Sequence, residues 1–142
     1  MKKLIIALFL FVSCTMHAAV AAPVAVIINS SNHENVTKAD VRNIYLGNTI
    51  AWENGKKIAI YNLPTEDAAA EMFAREMLDT SAAGAAAAES NRIVSNTTRN
   101  PQQTKRDALV ASIIAKNPLA IGYVPNAQAE GKPGIRVLFI LE

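Results

Sequence analysis

Val24-Ala25-Val26-Ile27-Ile28 is an unbroken apolar run, mostly β-branched, with no polar residue in alternation. A strand with one wet face alternates; a run like this reads as a strand covered on both faces, as in a sheet with helices above and below. Val137-Leu138-Phe139-Ile140-Leu141 repeats the pattern near the other end, and Ala120-Ile121-Gly122-Tyr123-Val124 forms a third run directly after Asn117-Pro118. These three runs point to an α/β architecture.

The segments between them carry helical signals. Thr37 is placed to cap a helix, with Asp40 favouring its positive end. Val41, Ile44 and Tyr45 then share one face, and Gly47 supplies the stop. Glu53-Asn54-Gly55-Lys56 is a turn signal ahead of a second strand, Lys57 to Tyr61. A second helix is expected over Glu66 to Leu78, capped by Thr65, with Ala69, Met72, Phe73 and Met77 as its core face. Ser81 to Ile93 is alanine-rich and reads as a third helix that either lies close to a neighbour or is loosely held. Ser95 to Gln103 reads as a mobile loop. Thr104 to Lys116 reads as a fourth helix facing the core with Leu109, Val110, Ile113 and Ile114. The expected order is β-α-β-α-α-α-β-β, a single α/β domain with a mixed sheet flanked by helices.

Residues 1–21 are set apart from this domain. Lys2 and Lys3, the apolar run Leu4 to Val12 and the small residues Ala19-Val20-Ala21 form a cleavable secretory signal, too short to anchor. The folded domain is then residues 22–142, with a periplasmic destination and no transmembrane anchor in the mature chain. The alternative is a lipoprotein acylated at Cys14, in the imperfect box Phe11-Val12-Ser13-Cys14.

Without Lys2 and Lys3, twelve basic residues face twelve acidic ones, so nothing in the charge attracts nucleic acid. The signal also removes Cys14 and His17, leaving no cysteine and only His33, in a polar loop. No disulfide, thiol nucleophile or zinc site can be built from that inventory, and no metal or other cofactor is expected. Adjacent Glu66 and Asp67 would diverge by about 100° on a helix, a poor acid/base pair. The chain is therefore expected not to be an enzyme.

Ile44-Tyr45-Leu46-Gly47 followed by Trp52, then Ile121-Gly122-Tyr123-Val124, together with Val26-Ile27-Ile28-Asn29 and Phe73, resemble one lobe of the substrate-binding proteins of phosphate ABC transporters. The resemblance covers essentially the whole mature chain but only that lobe, and it implies a single lobe of a type II periplasmic-binding-protein-like fold. It also implies a binding function, with a small polar or anionic ligand and an ABC permease as partner. In that family the strand matching Lys57–Tyr61 is followed by arginine, an acidic residue and Ser-Gly-Thr at a helix start. Here the stretch is Asn62-Leu63-Pro64-Thr65-Glu66-Asp67-Ala68-Ala69, which carries none of those groups and adds two carboxylates where the phosphate would sit.

Candidate ligand-binding residues are Asn29, Ser30, Asn62 and Thr65, expected to share one end of the sheet with the loop Asn96 to Gln103 and the cations Arg99, Lys105 and Arg106. Trp52 is assigned to packing. A second reading makes the chain an interaction module that meets another envelope protein, or itself, through the face a missing lobe would cover.

Overall fold

The computed structural model describes residues 20–142. The signal segment and Cys14 lie outside the described residues, apart from the exposed stretch 20–22. The domain is built from β1 (Val24–Asn29), α1 (Lys38–Tyr45), β2 (Ala59–Asn62), α2 (Ala68–Leu78), α3 (Ala82–Val94), β3 (Gln103–Thr104), α4 (Asp107–Lys116), β4 (Ala120–Pro125), α5 (Asn126–Ala129) and β5 (Ile135–Leu141). The short elements β3 and α5 go beyond the sequence expectation.

One five-stranded sheet has the order β3-β2-β4-β1-β5. β2 is parallel to β3 and β4, whereas β1 is antiparallel to both β4 and β5. The sheet is therefore mixed. Every residue of β1 is buried, as its unbroken apolar run requires. Val24 pairs with Pro125 on one side and Leu141 on the other, so the start of β1 and the end of β5 lie together. The β1–β5 register shifts between Val26 and Ile27, which leaves Leu138 as the extra residue of a bulge.

The two faces of the sheet are covered differently. Gly122 faces α4 so closely that a Cβ there would lie 2.8 Å from Ile114 and 2.9 Å from Val110. On the opposite face Tyr123 stacks on Phe73 of α2, with ring centroids 3.9 Å apart, and Tyr45 of α1 lies 4.6 Å from Phe73. This aromatic trio joins α1, α2 and β4 into one core.

Local signals account for most boundaries. Thr37 and Asp40 form a complete capping box for α1, and Gly47, at φ 80°, follows its end. Trp52 is buried and donates from Nε1 to the Leu119 carbonyl at 2.9 Å, a packing role with its polar atom satisfied. Other boundaries depart from expectation. α2 starts at Ala68 and its N-cap is Asp67, whose Oδ1 accepts from Ala69 N at 2.9 Å; Thr65 is exposed and caps nothing. The delay has a cause in the backbone: Pro64 to Asp67 first close a turn, with Asp67 N–H donating to the Pro64 carbonyl at 3.0 Å. In α4 the core face is Val110, Ala111 and Ile114, while Leu109 is exposed and Ile113 half-buried. The close seat of Val110 and Ile114 over Gly122 sets that rotation. The segment Ser95–Gln103, expected to be mobile, is pinned by Asn100, which is buried and donates to the Ile58 carbonyl at 2.8 Å.

Candidate functional site

The four candidate residues do not meet. Ile28 of β1, Ile60 of β2 and Ile121 of β4 lie in one row across the sheet. From that row β2 runs forward to Asn62, while the antiparallel β1 runs the opposite way to Asn29. Asn29 and Ser30 are thus at one end of the sheet, and Asn62 and Thr65 at the other. The expectation of a shared end is corrected by the direction of β1.

Asn29 also has no free polar atom of consequence. It is 5% exposed, donates from Nδ2 to the Ile114 carbonyl at 2.7 Å, and accepts from Ser31 N and Oγ at 2.9 and 2.6 Å. It ties β1 to α4. Ser30 is exposed and its N–H donates to the Gly134 carbonyl at 2.9 Å. His33 lies at this same end, in a shallow depression with Glu34, Glu53 and Lys56. Among the described residues no three His, Cys, Asp or Glu side chains come together to hold a metal ion.

Asn62 and Thr65 border a pocket of about 220 Å³ between α2 and α3. Its floor is the stacked pair Phe73 and Tyr123. Its walls are alanines, Ala70 and Ala74 from α2 and Ala82, Ala85 and Ala86 from α3. Small side chains on both facing helices leave this volume open; larger ones would fill it.

A polar chain runs along the rim. Tyr123 Oη donates to Asn62 Oδ1 at 2.8 Å, and Asn62 Nδ2 donates to Gln102 Oε1. Gln102 Nε2 donates to the Tyr45 carbonyl at 2.9 Å, and Tyr45 Oη to the Tyr61 carbonyl at 2.6 Å. Burial pushes the hydroxyl pKa values of Tyr123 and Tyr45 well above the usual tyrosine range. For Tyr123 a hydrogen bond from Leu63 N opposes that rise and the nearby Asp67 carboxylate adds to it. Both hydroxyls are neutral donors at ordinary pH.

Among the described residues, the one charged side chain lining the pocket is that of Glu89. Its Oε2 takes Arg92 Nε and Nη2 at 3.0 and 2.8 Å, and its Oε1 accepts from Gln102 N at 3.0 Å. Among the described residues no lysine or arginine lines the cavity. Arg99, Lys105 and Arg106 are exposed and not among its lining residues. Two helix starts border it: that of α2 is already occupied by its own Asp67 carboxylate, and that of α3 by the Ser81 hydroxyl and the Glu71 carboxylate. The pocket offers amide and hydroxyl groups over an aromatic floor, and no cation for an anion to meet.

The sequence reading sets the loop Asn96 to Gln103 beside Thr65 without singling out Gln102, and it misses Glu89. Gln102 sits in an irregular polar stretch with no periodicity, and Glu89 looks like an ordinary solvated helix residue until the fold brings the two together.

With this geometry in view, the architecture is that of a single lobe of a type II periplasmic-binding-protein-like fold. No protein-family model matches the chain, and no curated protein matches it. Among solved structures it is similar to an ABC-type phosphate transport receptor from Vibrio cholerae, with TM-score 0.63 and 13% identity over 86% of this chain and 48% of that one. It is also similar to a putative phosphate ABC transporter substrate-binding protein with bound phosphate from Clostridium perfringens, with TM-score 0.59 and 14% identity over 83% and 45% of the two chains. A possible phosphate binding protein from Planctomyces limnophilus gives TM-score 0.58 and 15% identity over 83% and 42%. The chain spans less than half the length of each, and at these identities the likeness concerns the fold alone.

Proposed function

We propose that this chain is an exported, non-enzymatic binding module that takes a small uncharged ligand in the pocket between α2 and α3, and does not bind phosphate tightly. The observation that carries this reading is the state of the α2 N-terminus. A helix start attracts an anion through unsatisfied N–H groups and the positive end of its dipole. Here Asp67 caps Ala69 N, and its carboxylate supplies the negative charge from within. A phosphate dianion would meet that carboxylate, with Glu66 beside it and no cation lining the pocket.

An uncharged ligand faces no such repulsion. It can lie against Phe73 and Tyr123 and exchange hydrogen bonds with Asn62, Gln102 and Thr65. The cavity is smaller than the roughly 300–1,000 Å³ of sites for drug-sized molecules, which favours a ligand of few atoms. Export and a periplasmic setting rest on the signal-like residues 1–21.

Calorimetric titration with inorganic phosphate at neutral pH tests this reading. The expected result is no binding tighter than about 1 mM, equivalent to about −4 kcal/mol. Micromolar binding would overturn it.

A second reading, an interaction module for another envelope protein, is favoured by the β5 edge. Val137 and Ile140 there are 39% and 43% exposed, and β5 has a neighbour on one side only. Light scattering over a concentration range and pull-downs from envelope extract separate the two readings.

A further inference from the structure

The pocket has one wall that is fastened unlike the rest of the molecule. Of the thirteen residues of α3 only Ala82 is buried. Ala83, Ala86, Ala87, Ala88, Ile93 and Val94 are all exposed. The wall it gives the pocket is mainly alanine methyl groups, which bury little area and do not interlock with α2.

Two polar ties hold α3 to the body, one near each end. Glu71 Oε2 of α2 accepts from Ala82 N at 2.9 Å, and Glu89 Oε1 accepts from Gln102 N at 3.0 Å. Arg92 steadies Glu89 from within α3 itself.

Just outside the helix the chain is firmly fixed. Met77 is buried and its carbonyl accepts from Arg42 Nη1 at 2.7 Å. Asn100 is buried and bonded to the Ile58 carbonyl. Between these fixed points and α3 lie Asp79 and Asn96, both at φ 55°, the only non-glycine residues with positive φ among the described residues. Asp79 is the left-handed C-cap of α2, held by its N–H to the Ala74 carbonyl and by Arg42 at 2.9 Å, and Asn96 belongs to the C-terminal cap of α3, where Thr97 N–H donates to the Arg92 carbonyl at 2.9 Å. The joints between the fixed body and α3 are therefore the short connections Thr80–Ser81 and Thr98–Arg99.

We propose that α3 is a lid. It opens as a unit about the connections Thr80–Ser81 and Thr98–Arg99 while the sheet, α2 and α4 stay folded, and the Glu89–Gln102 contact is its latch. Opening exposes the Phe73–Tyr123 floor, and closure shuts the pocket around a small ligand. Elements with few buried apolar contacts are the ones that open below the free energy of global unfolding. The lid deepens the binding reading of the same pocket and gives a single lobe its own means of enclosing what it binds.

Hydrogen exchange on the ligand-free mature protein, read by mass spectrometry, tests it. Amides of α3 should exchange together, at least about 10-fold faster than those of α2 and α4. Equal protection of all three helices would overturn the lid. In Glu89→Ala the α3 amides should speed up by about 5-fold or more, with α2 and α4 unchanged. An unchanged α3, or an equal rise in α2, would overturn the latch. Because no ligand is present, the lid can fail while the phosphate titration leaves the binding reading standing, and the reverse.

Discussion

α2 and α3 are neighbours of similar length, both rich in alanine, yet they are held in opposite ways. α2 buries Ala69, Ala70, Phe73, Ala74 and Met77; α3 buries Ala82 alone. The difference comes from two large side chains. Phe73 reaches the sheet and stacks on Tyr123, and Met77 follows one turn later, so Ala69, Ala70 and Ala74 on the same face are drawn into contact. α3 has no such side chain over its first seven residues. Alanine favours the helix in both cases, but only a large apolar anchor makes the helix part of the core.

The sharpest way to break this contrast is Phe73→Ala. Removing that ring should cost about 3–5 kcal/mol of global stability, measured by urea unfolding. A loss below about 1 kcal/mol would mean that α2 is not anchored as described.

Alkaline pH tests the same core through its hydroxyls. The folded pKa values of Tyr45 and Tyr123 are raised above the ordinary tyrosine value of 10.0, chiefly by burial. The unfolded chain releases these protons first, so their contribution to stability is complete below pH 10 and is lost as pH rises beyond it. The urea midpoint should therefore fall above that pH, and Tyr123→Phe should weaken the fall.

The smallest expected effect belongs to α3. Ala87→Gly, on its exposed side, should weaken the helix by about 1 kcal/mol, visible as roughly 5-fold faster exchange within α3. The urea midpoint should barely move, because α3 contributes little to the global transition. A matching drop in the midpoint would show α3 to be as integral as α2.

How much of this was legible in the sequence follows from what each residue's neighbours decide. The continuous run of β1, the capping box of α1 and the turn at Gly55 are local, and they read correctly. Asn29 was misplaced because nothing within Val24–Asn29 encodes strand direction; pairing with β4 and β5 decides it. Thr65 and Asp67 are both good N-caps, and the turn closed from Pro64 to Asp67 leaves the later one at the helix start. The rim of the pocket was half-read. Asn62 and Thr65 follow a strand end, where ligand groups are expected, whereas Gln102 and Glu89 gain meaning only through a contact across 13 positions of sequence.

The pairing of Val24 with both Pro125 and Leu141 places the two ends of the folded domain at the carboxyl end of β4, the same end of the sheet as Asn62. A tether at either end, whether an acyl chain, an affinity tag or a sensor surface, would therefore approach from the pocket side. It would leave the opposite end, with His33 and Lys56, facing the bulk solution. Immobilising this protein through an exposed residue near Lys56 would instead turn the pocket outward, the orientation in which a ligand arriving from solution meets the least obstruction.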